Sequence, residues 1–177
     1  MSRAASFQTV KVEGAVLPES FLRRLIDNDG EIEGLSSDDY RLYGSLRPNE
    51  AAARAWNNLQ GAWSVFRTSM ETLQATNPGT TLTREKWLRP LFAELGYGLL
   101  PPVLKPLELG GKKFPVSHFW QNTPIHQVSF RQELDKRTSP CSSKLSPHNL
   151  VQDLLSRSDD FLWGVATNGL SLRLLRD

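Results

Sequence analysis

The residues that could do chemistry fall into three sets. Arg131, Lys136, Arg137 and Lys144 lie in one polar stretch, 131–145, interleaved with Glu133 and Asp135. Cations gathered in a loop can contact phosphate oxygens, and such contacts position a nucleic acid without reading its sequence. The plainer alternative is a solvated charged loop, partly balanced by its two acids. Glu108, Glu133 and Asp135 are the carboxylates nearest the extended segments, where paired acids could hold Mg2+. Gln152 is a polar group on an otherwise inward-looking helix. The third set is His118, His126, His148 and Cys141. Their spacing is not that of a zinc knuckle, and no identifiable base activates Cys141. Phosphate-cradling glycine loops are absent, since Gly96-Tyr97-Gly98 runs straight into Leu99-Leu100-Pro101.

Composition narrows the class. The chain has 177 residues with 21 basic and 19 acidic side chains, a net charge of +2. That balance is too even to argue for nucleic acid by charge alone. With 39% apolar and 23% charged residues the chain can bury a core. Its length suits one domain, or one domain with a helical preface. No apolar run reaches the about 18 residues of a membrane span. Lys11, Glu13 and Glu19 interrupt the beginning, where a secretion signal needs a continuous apolar stretch. One cysteine makes no internal disulfide, so the chain reads as intracellular and cytoplasmic.

These residues need elements to position them. Residues 1–16 read as a loose arm with a short extended stretch at 9–13. Leu17-Pro18-Glu19 opens a helix with Phe21, Leu22, Leu25 and Ile26 on one face. Residues 27–33 break it, and Ser36-Ser37-Asp38-Asp39 makes a capping-type turn. The strongest periodicity runs over 48–73. Trp56, Leu59, Trp63, Phe66, Met70 and Leu73 recur at alternating spacings of 3 and 4, which predicts one long amphipathic helix. Its aromatic stripe is expected to pack into the core rather than to stack a ligand. Thr83 is the expected cap of a helix over 84–95, with a kink or one missing backbone bond at Pro90 and a stop at Gly96. Trp87, Leu88, Leu91, Phe92 and Leu95 form its buried face.

Pro101-Pro102 marks a boundary. Beyond it, Gly110-Gly111 joins extended runs 104–109 and 112–120 in a hairpin, and 125–130 alternates like a half-buried strand. Ser146-Pro147 opens a helix that turns Leu150, Val151, Leu154 and Leu155 inward. Strands 162–167 and 170–176 pair across a two-residue turn, Asn168-Gly169, with both residues expected at positive φ. The chain stops directly after a strand, which suggests a domain of a longer protein. The predicted organisation is an arm with short helices (1–47), a helical region (48–100) and a mixed-sheet domain (101–177). The last two are expected to form one structural unit of α+β class.

After the long helix the predicted order is α-β-β-β-α-β-β. It resembles the core of the PD-(D/E)XK nuclease fold, in which two carboxylates hold Mg2+ and a lysine orients the attacking water. The first acid belongs on the second strand; an acid and a lysine, two apart, belong on the third. Here the second strand reads Lys113-Phe114-Pro115-Val116-Ser117-His118, and the third reads Ile125-His126-Gln127-Val128-Ser129-Phe130. Neither holds an acid. The expected domain is therefore a degenerate nuclease-like mixed sheet without metal-dependent cleavage of its own. An active nuclease with acids displaced to Glu108 or Asp135 is the remaining enzymatic reading.

Several stretches are more specific: 82–98 (LTREKWLRPLFAELGYG), 124–126 (PIH), 134–137 (LDKR), and 146–152 (SPHNLVQ) with 163–169 (WGVATNG) and 172–177 (LRLLRD). They resemble the amino-terminal region of type IIG restriction–modification proteins, the type II restriction enzyme methylase subunits. They are similar also to related adenine-specific methyltransferases of phage-defence systems such as BREX and DISARM. The resemblance covers residues 48–177, and WGVATNG is similar to the hairpin that ends the nuclease domain of type I restriction subunits. It implies a parent whose downstream domain binds S-adenosylmethionine and methylates a flipped adenine through an Asn-Pro-Pro-Tyr/Phe motif. Asn77-Pro78-Gly79 does not supply that motif, so this chain alone is expected to bind no cofactor. Type I domains carry Gln-x-x-x-Tyr on the helix after the third strand; Gln152 fits its first position, and Ser156 stands where the tyrosine would be. The implied partners are double-stranded DNA, through Arg131, Lys136, Arg137 and Lys144, and the downstream methyltransferase domain. The competing reading is a scaffold domain whose aromatic-striped helix docks its own chain or a partner subunit without touching DNA.

Overall fold

A computed structural model describes residues 10–14, 17–27, 31–44, 46–137 and 145–177. Cys141 and Lys144 lie outside these, as does most of the predicted arm. The described residues combine helices with two sheets, the α+β class expected. The chain divides into two compact units, Met1–Ala53 and Arg54–Asp177.

In the first unit, helix α1 (Glu19–Ile26) follows Pro18, whose ψ of 143° makes it the cap rather than the first helical residue. Glu19 accepts from Arg23 one turn on, at 3.3 Å. No residue of α1 is fully buried, and Ile26 is 68% exposed. The turn at Ser36 forms as predicted. Its hydroxyl and its amide both donate to the Asp39 carboxylate, at 2.5 and 3.0 Å, and hold that acid below the usual carboxylate range.

Helix α2 (Pro48–Thr72) is the long helix that the periodicity predicts. Trp63 and Phe66 enter an aromatic cluster, with ring centroids 4.9 Å apart for Trp63–Trp87 and 6.0 Å apart for Phe66–Phe130. Trp56, expected in the core, is instead 63% exposed. The repeat fixes which face points inward but not how far the covering layer reaches. Asn58 already donates to Glu94, the last residue of the neighbouring helix, at 3.0 Å, so Trp56 lies past its end.

That neighbour is a continuous helical run in three pieces: α3 (Thr80–Leu82), a π-helix (Thr83–Leu88) and α4 (Arg89–Glu94). Gly79 at φ 77° takes the cap position expected of Thr83, which sits inside the run. The π-turn closes with the Arg89 amide on the Arg84 carbonyl, five residues back. Pro90 explains it. Proline has no amide to donate and would crowd the carbonyl four residues earlier, so the turn ahead of it widens. The stop at Gly96 forms as expected. The Gly96 and Tyr97 amides return to the carbonyls of Ala93 and Phe92 at 3.1 and 2.9 Å, a Schellman closure.

Strands β1 (Leu107–Leu109) and β2 (Lys112–Phe114) pair antiparallel across Gly110-Gly111. The predicted strand over 112–120 does not run on. Pro115 lacks a donor, and the Val116 amide folds back on the Phe114 carbonyl at 2.9 Å, a three-residue turn. The chain leaves the hairpin there and joins a second sheet as β3 (His118–Trp120), which turns into β4 (Thr123–Gln127). Four strands, not three, therefore precede helix α5 (Pro147–Leu155). Helix α5 crosses over to β5 (Trp163–Thr167), parallel to β4, and β6 (Leu172–Arg176) returns antiparallel. The sheet order is β3-β4-β5-β6, with an isolated bridge from Pro102 to His118.

The sheet is covered on both faces. Ile125 and Val165 meet Leu88 and Phe92 on one; Ala166 meets Val151, Leu154 and Leu155 on the other. Each fully buried aliphatic contributes about 1.5–3 kcal/mol. Gly164 lets α5 approach, since a Cβ there would stand 2.6 Å from Val151 Cγ1.

Candidate nucleic-acid interface

Residues 128–137 leave β4 as an irregular loop that is tied down at almost every step. The Phe130 amide donates to Thr83 Oγ1 at 3.0 Å, and that hydroxyl donates to the Gly79 carbonyl at 2.9 Å. The Ser129 hydroxyl donates to the Pro78 carbonyl and accepts the Arg131 amide. Asn168 Nδ2 donates to the Gln132 carbonyl at 2.8 Å. Arg173, on β6, grips both oxygens of Asp135 at 2.6 Å each. Asp135 therefore sits below the usual carboxylate range, chiefly through this hydrogen bonding.

The hairpin after β5 supplies one of those ties. Its connection has four residues, not the two expected, because Thr167 pairs with Leu172. Asn168 Oδ1 accepts the amides of Leu170 and Ser171 at 3.0 and 2.8 Å, which organises the turn and leaves Nδ2 for Gln132. Only Gly169 has positive φ, 83°, and Asn168 does not. The Gly169 carbonyl accepts Trp87 Nε1 at 2.7 Å, and a Cβ at 169 would stand 2.9 Å from Thr83 Cγ2.

Between this loop and residues 75–80 lies a cleft of about 480 Å³. Arg131, Lys136 and Arg137 all line it, with Glu133 as its acid and Asn77, Thr80 and Gln132 as neutral polar groups. The three cations differ. The Arg131 guanidinium donates to the carbonyls of Leu73, Gln74 and Ala75 at 3.1–3.2 Å, in the turn that follows α2. Lys136 pairs with Glu133 at 2.7 Å. Arg137 is exposed and has no hydrogen-bond or ion-pair partner among the described residues. Lys144 lies outside the described residues.

The predicted catalytic groups do not converge. Glu108 is on the β1–β2 hairpin and pairs across the strands with Lys113 at 3.1 Å. Asp135 is held by Arg173, and Gln152 is half-buried on α5. Asp153, beside it, is taken by Lys112 and Arg157. Among the described residues no group of three or more His, Cys, Asp or Glu could hold a metal ion. Glu108, Asp135 and Gln152 thus lie on three separate elements, with both acids already paired to cations.

Polar residues occupy the sheet interior instead. Ser117 Oγ accepts the Gln127 amide at 2.7 Å and donates to the Ile125 carbonyl at 2.9 Å. His118 is 4% exposed. Burial pushes His118 and His126 down to about 4, with Arg84 adding to the effect on the first and His118 on the second. Gln127 is 6% exposed, and its Oε1 has no hydrogen-bond partner among the described residues.

Sequence reasoning missed the anchors of the loop, Asp135 as a clamp and Asn168 as a strut. No local signal marks either, because Arg173 and Gln132 stand 38 and 36 residues away from them. A scan against protein-family models and searches of the curated proteins and of the solved structures found no match to the chain.

Proposed function

We propose that the chain is a non-cleaving, nuclease-like DNA-handling domain of a cytoplasmic restriction–modification or phage-defence protein. In this reading the Pro102 bridge is a remnant of the first nuclease strand, β3 is the second and β4 the third. The β4–α5–β5 crossover in a mixed sheet supports that alignment. One observation carries the reading: where this alignment expects acids and a lysine stand Ser117, Gln127 and Ser129, the two serines just outside β3 and β4, and both serine hydroxyls are spent on backbone groups. With no anionic pocket among the described residues, none of them would hold a catalytic ion, and duplex contact is what remains. S-adenosylmethionine chemistry belongs to a downstream methyltransferase domain of the parent.

Incubation with duplex DNA and Mg2+ or Mn2+ tests the first half; intact DNA is expected. Strand scission lost on Glu108→Gln or Asp135→Asn overturns it. Duplex retention that weakens with salt tests the second half. The scaffold reading draws on Trp56 and Val65, which are 63% and 55% exposed on α2. It takes over if no duplex binds at low salt while a partner domain does.

A further inference from the structure

We infer that the cleft beside residues 129–137 is a preorganised seat for a DNA phosphodiester. In it Arg137 makes the contact, and Asp135 and Asn168 act as positioning residues. This rests on the DNA-handling reading and adds its site. The argument starts from what each cation is already doing. Arg131 has its donors on three carbonyls of the turn after α2, and Lys136 is paired with Glu133. Among the described residues Arg137 alone presents an uncommitted guanidinium to a cleft that also offers Asn77, Thr80 and Gln132. A guanidinium fork matches the paired oxygens of a phosphate. Among the described residues no aromatic ring lines the cleft, so these residues offer backbone contact and no platform for a base.

A loop pays less entropy on binding if it is already held in place. Here the loop is held from outside the cleft. Asp135 is clamped by Arg173 immediately before Lys136 and Arg137, and Asn168 ties down Gln132. The WGVATNG hairpin thus braces the contact loop rather than touching the ligand.

Asp135 gives a test in which the sign decides. Removing its charge makes the surface more positive, so electrostatics alone predicts tighter DNA binding for Asp135→Asn. Positioning predicts weaker binding, with recovery in Asp135→Glu, which can rebuild the clamp. Anisotropy titrations of a labelled short duplex over a salt series would use the full chain, with melting curves to verify folding. Arg137→Gln should weaken binding by about threefold or more and lower the log–log salt slope by about one. Asp135→Asn and Arg173→Lys should weaken it as well. Arg137→Gln is an exposed change, so it decides even if the clamp variants misfold. An unchanged slope for Arg137→Gln, or equal or tighter binding by folded Asp135→Asn, overturns this site while leaving the DNA-handling reading standing. A wild-type chain that binds no duplex removes both. Inorganic phosphate bound as tightly as the duplex would make the cleft a free-anion site and also end the proposal.

Discussion

The polar groups between the strands and those of the 129–137 loop begin from the same kind of residue and end differently. At the strands, His118, Gln127 and Ser129 are buried and Ser117 is half-buried, and the two serines and His118 bond to backbone groups or to one another. In the loop, Asp135, Lys136 and Arg137 are exposed and charged, and the ties that fix them lie behind the cleft. A buried polar network specifies packing, because an unsatisfied member is costly in a low-dielectric interior. An exposed but braced set of charges is available to a ligand. The first region should therefore answer to stability measurements and the second to binding measurements.

Acid titration offers the largest separation. His118 and His126 are neutral in the fold down to about pH 4, whereas in the unfolded chain they take up protons near 6.5. Their folded values are depressed, so unfolding is favoured as pH falls from about 6.5 towards 4, and the loss levels off below that. Each unit of depression is worth about 1.4 kcal/mol, so the combined loss should reach a few kcal/mol. Melting temperatures measured from pH 7 to pH 4.5 should show it, and His118→Asn should flatten the curve. A stability that is level across this range would mean that the histidines are reached by water and that the strand region is open.

Ser117→Ala comes next. It strips the buried Gln127 amide of its acceptor and the Ile125 carbonyl of a donor, at about 1–3 kcal/mol. For a chain of this size that lowers the melting temperature by about 2–4 °C per kcal/mol. DNA affinity of the folded fraction should not change. Loss of affinity without loss of stability would place the ligand at the strands instead of in the cleft.

How far the sequence foretells each region follows from the range of the forces involved. Local signals worked well: the alternating apolar spacing gave α2, Gly96 gave a helix stop, and Ser146-Pro147 gave the start of α5. The Ser146 hydroxyl accepts the Asn149 amide there, the cap that the pair of residues announces. Signals failed where a tertiary demand overrode a local preference. Pro90 disturbed the backbone bonding as expected, but by widening the turn ahead of it, and Pro115 split a strand that its neighbours favoured. Asn168-Gly169 resembles a two-residue turn, yet Asn168 also braces a loop 36 residues away, and the turn opened to four residues. The grouping of cations in the loop was legible, but the commitment of Arg131 to the end of α2 was not, since its partners lie 56–58 residues earlier.

Arg131→Ala tests that division within the loop. The change leaves the carbonyls of Leu73, Gln74 and Ala75, just past α2, without this donor, and a cation near a helix C-terminus is worth about 0.3–1 kcal/mol at an exposed site. The variant should melt at a slightly lower temperature, and its salt slope should fall less than that of Arg137→Gln. Equal slopes for the two variants would show that Arg131 leaves the helix to meet DNA.

The smallest effect belongs to Glu108→Gln. Glu108 and Lys113 face each other across the β1–β2 hairpin with side chains 64% and 72% exposed. An exposed cross-strand ion pair contributes about 0.2–1 kcal/mol and is screened by salt. The variant should melt within about 0.5 kcal/mol of wild type and bind duplex unchanged, because the hairpin lies outside the cleft. Its value is in the sign of a surprise. A carboxylate engaged with Mg2+ would make the wild-type melting temperature rise with added Mg2+ by mass action, and Glu108→Gln would abolish that rise. A flat response in both proteins keeps Glu108 a surface residue; a rise in the wild type alone would move the chemistry from the loop to the hairpin.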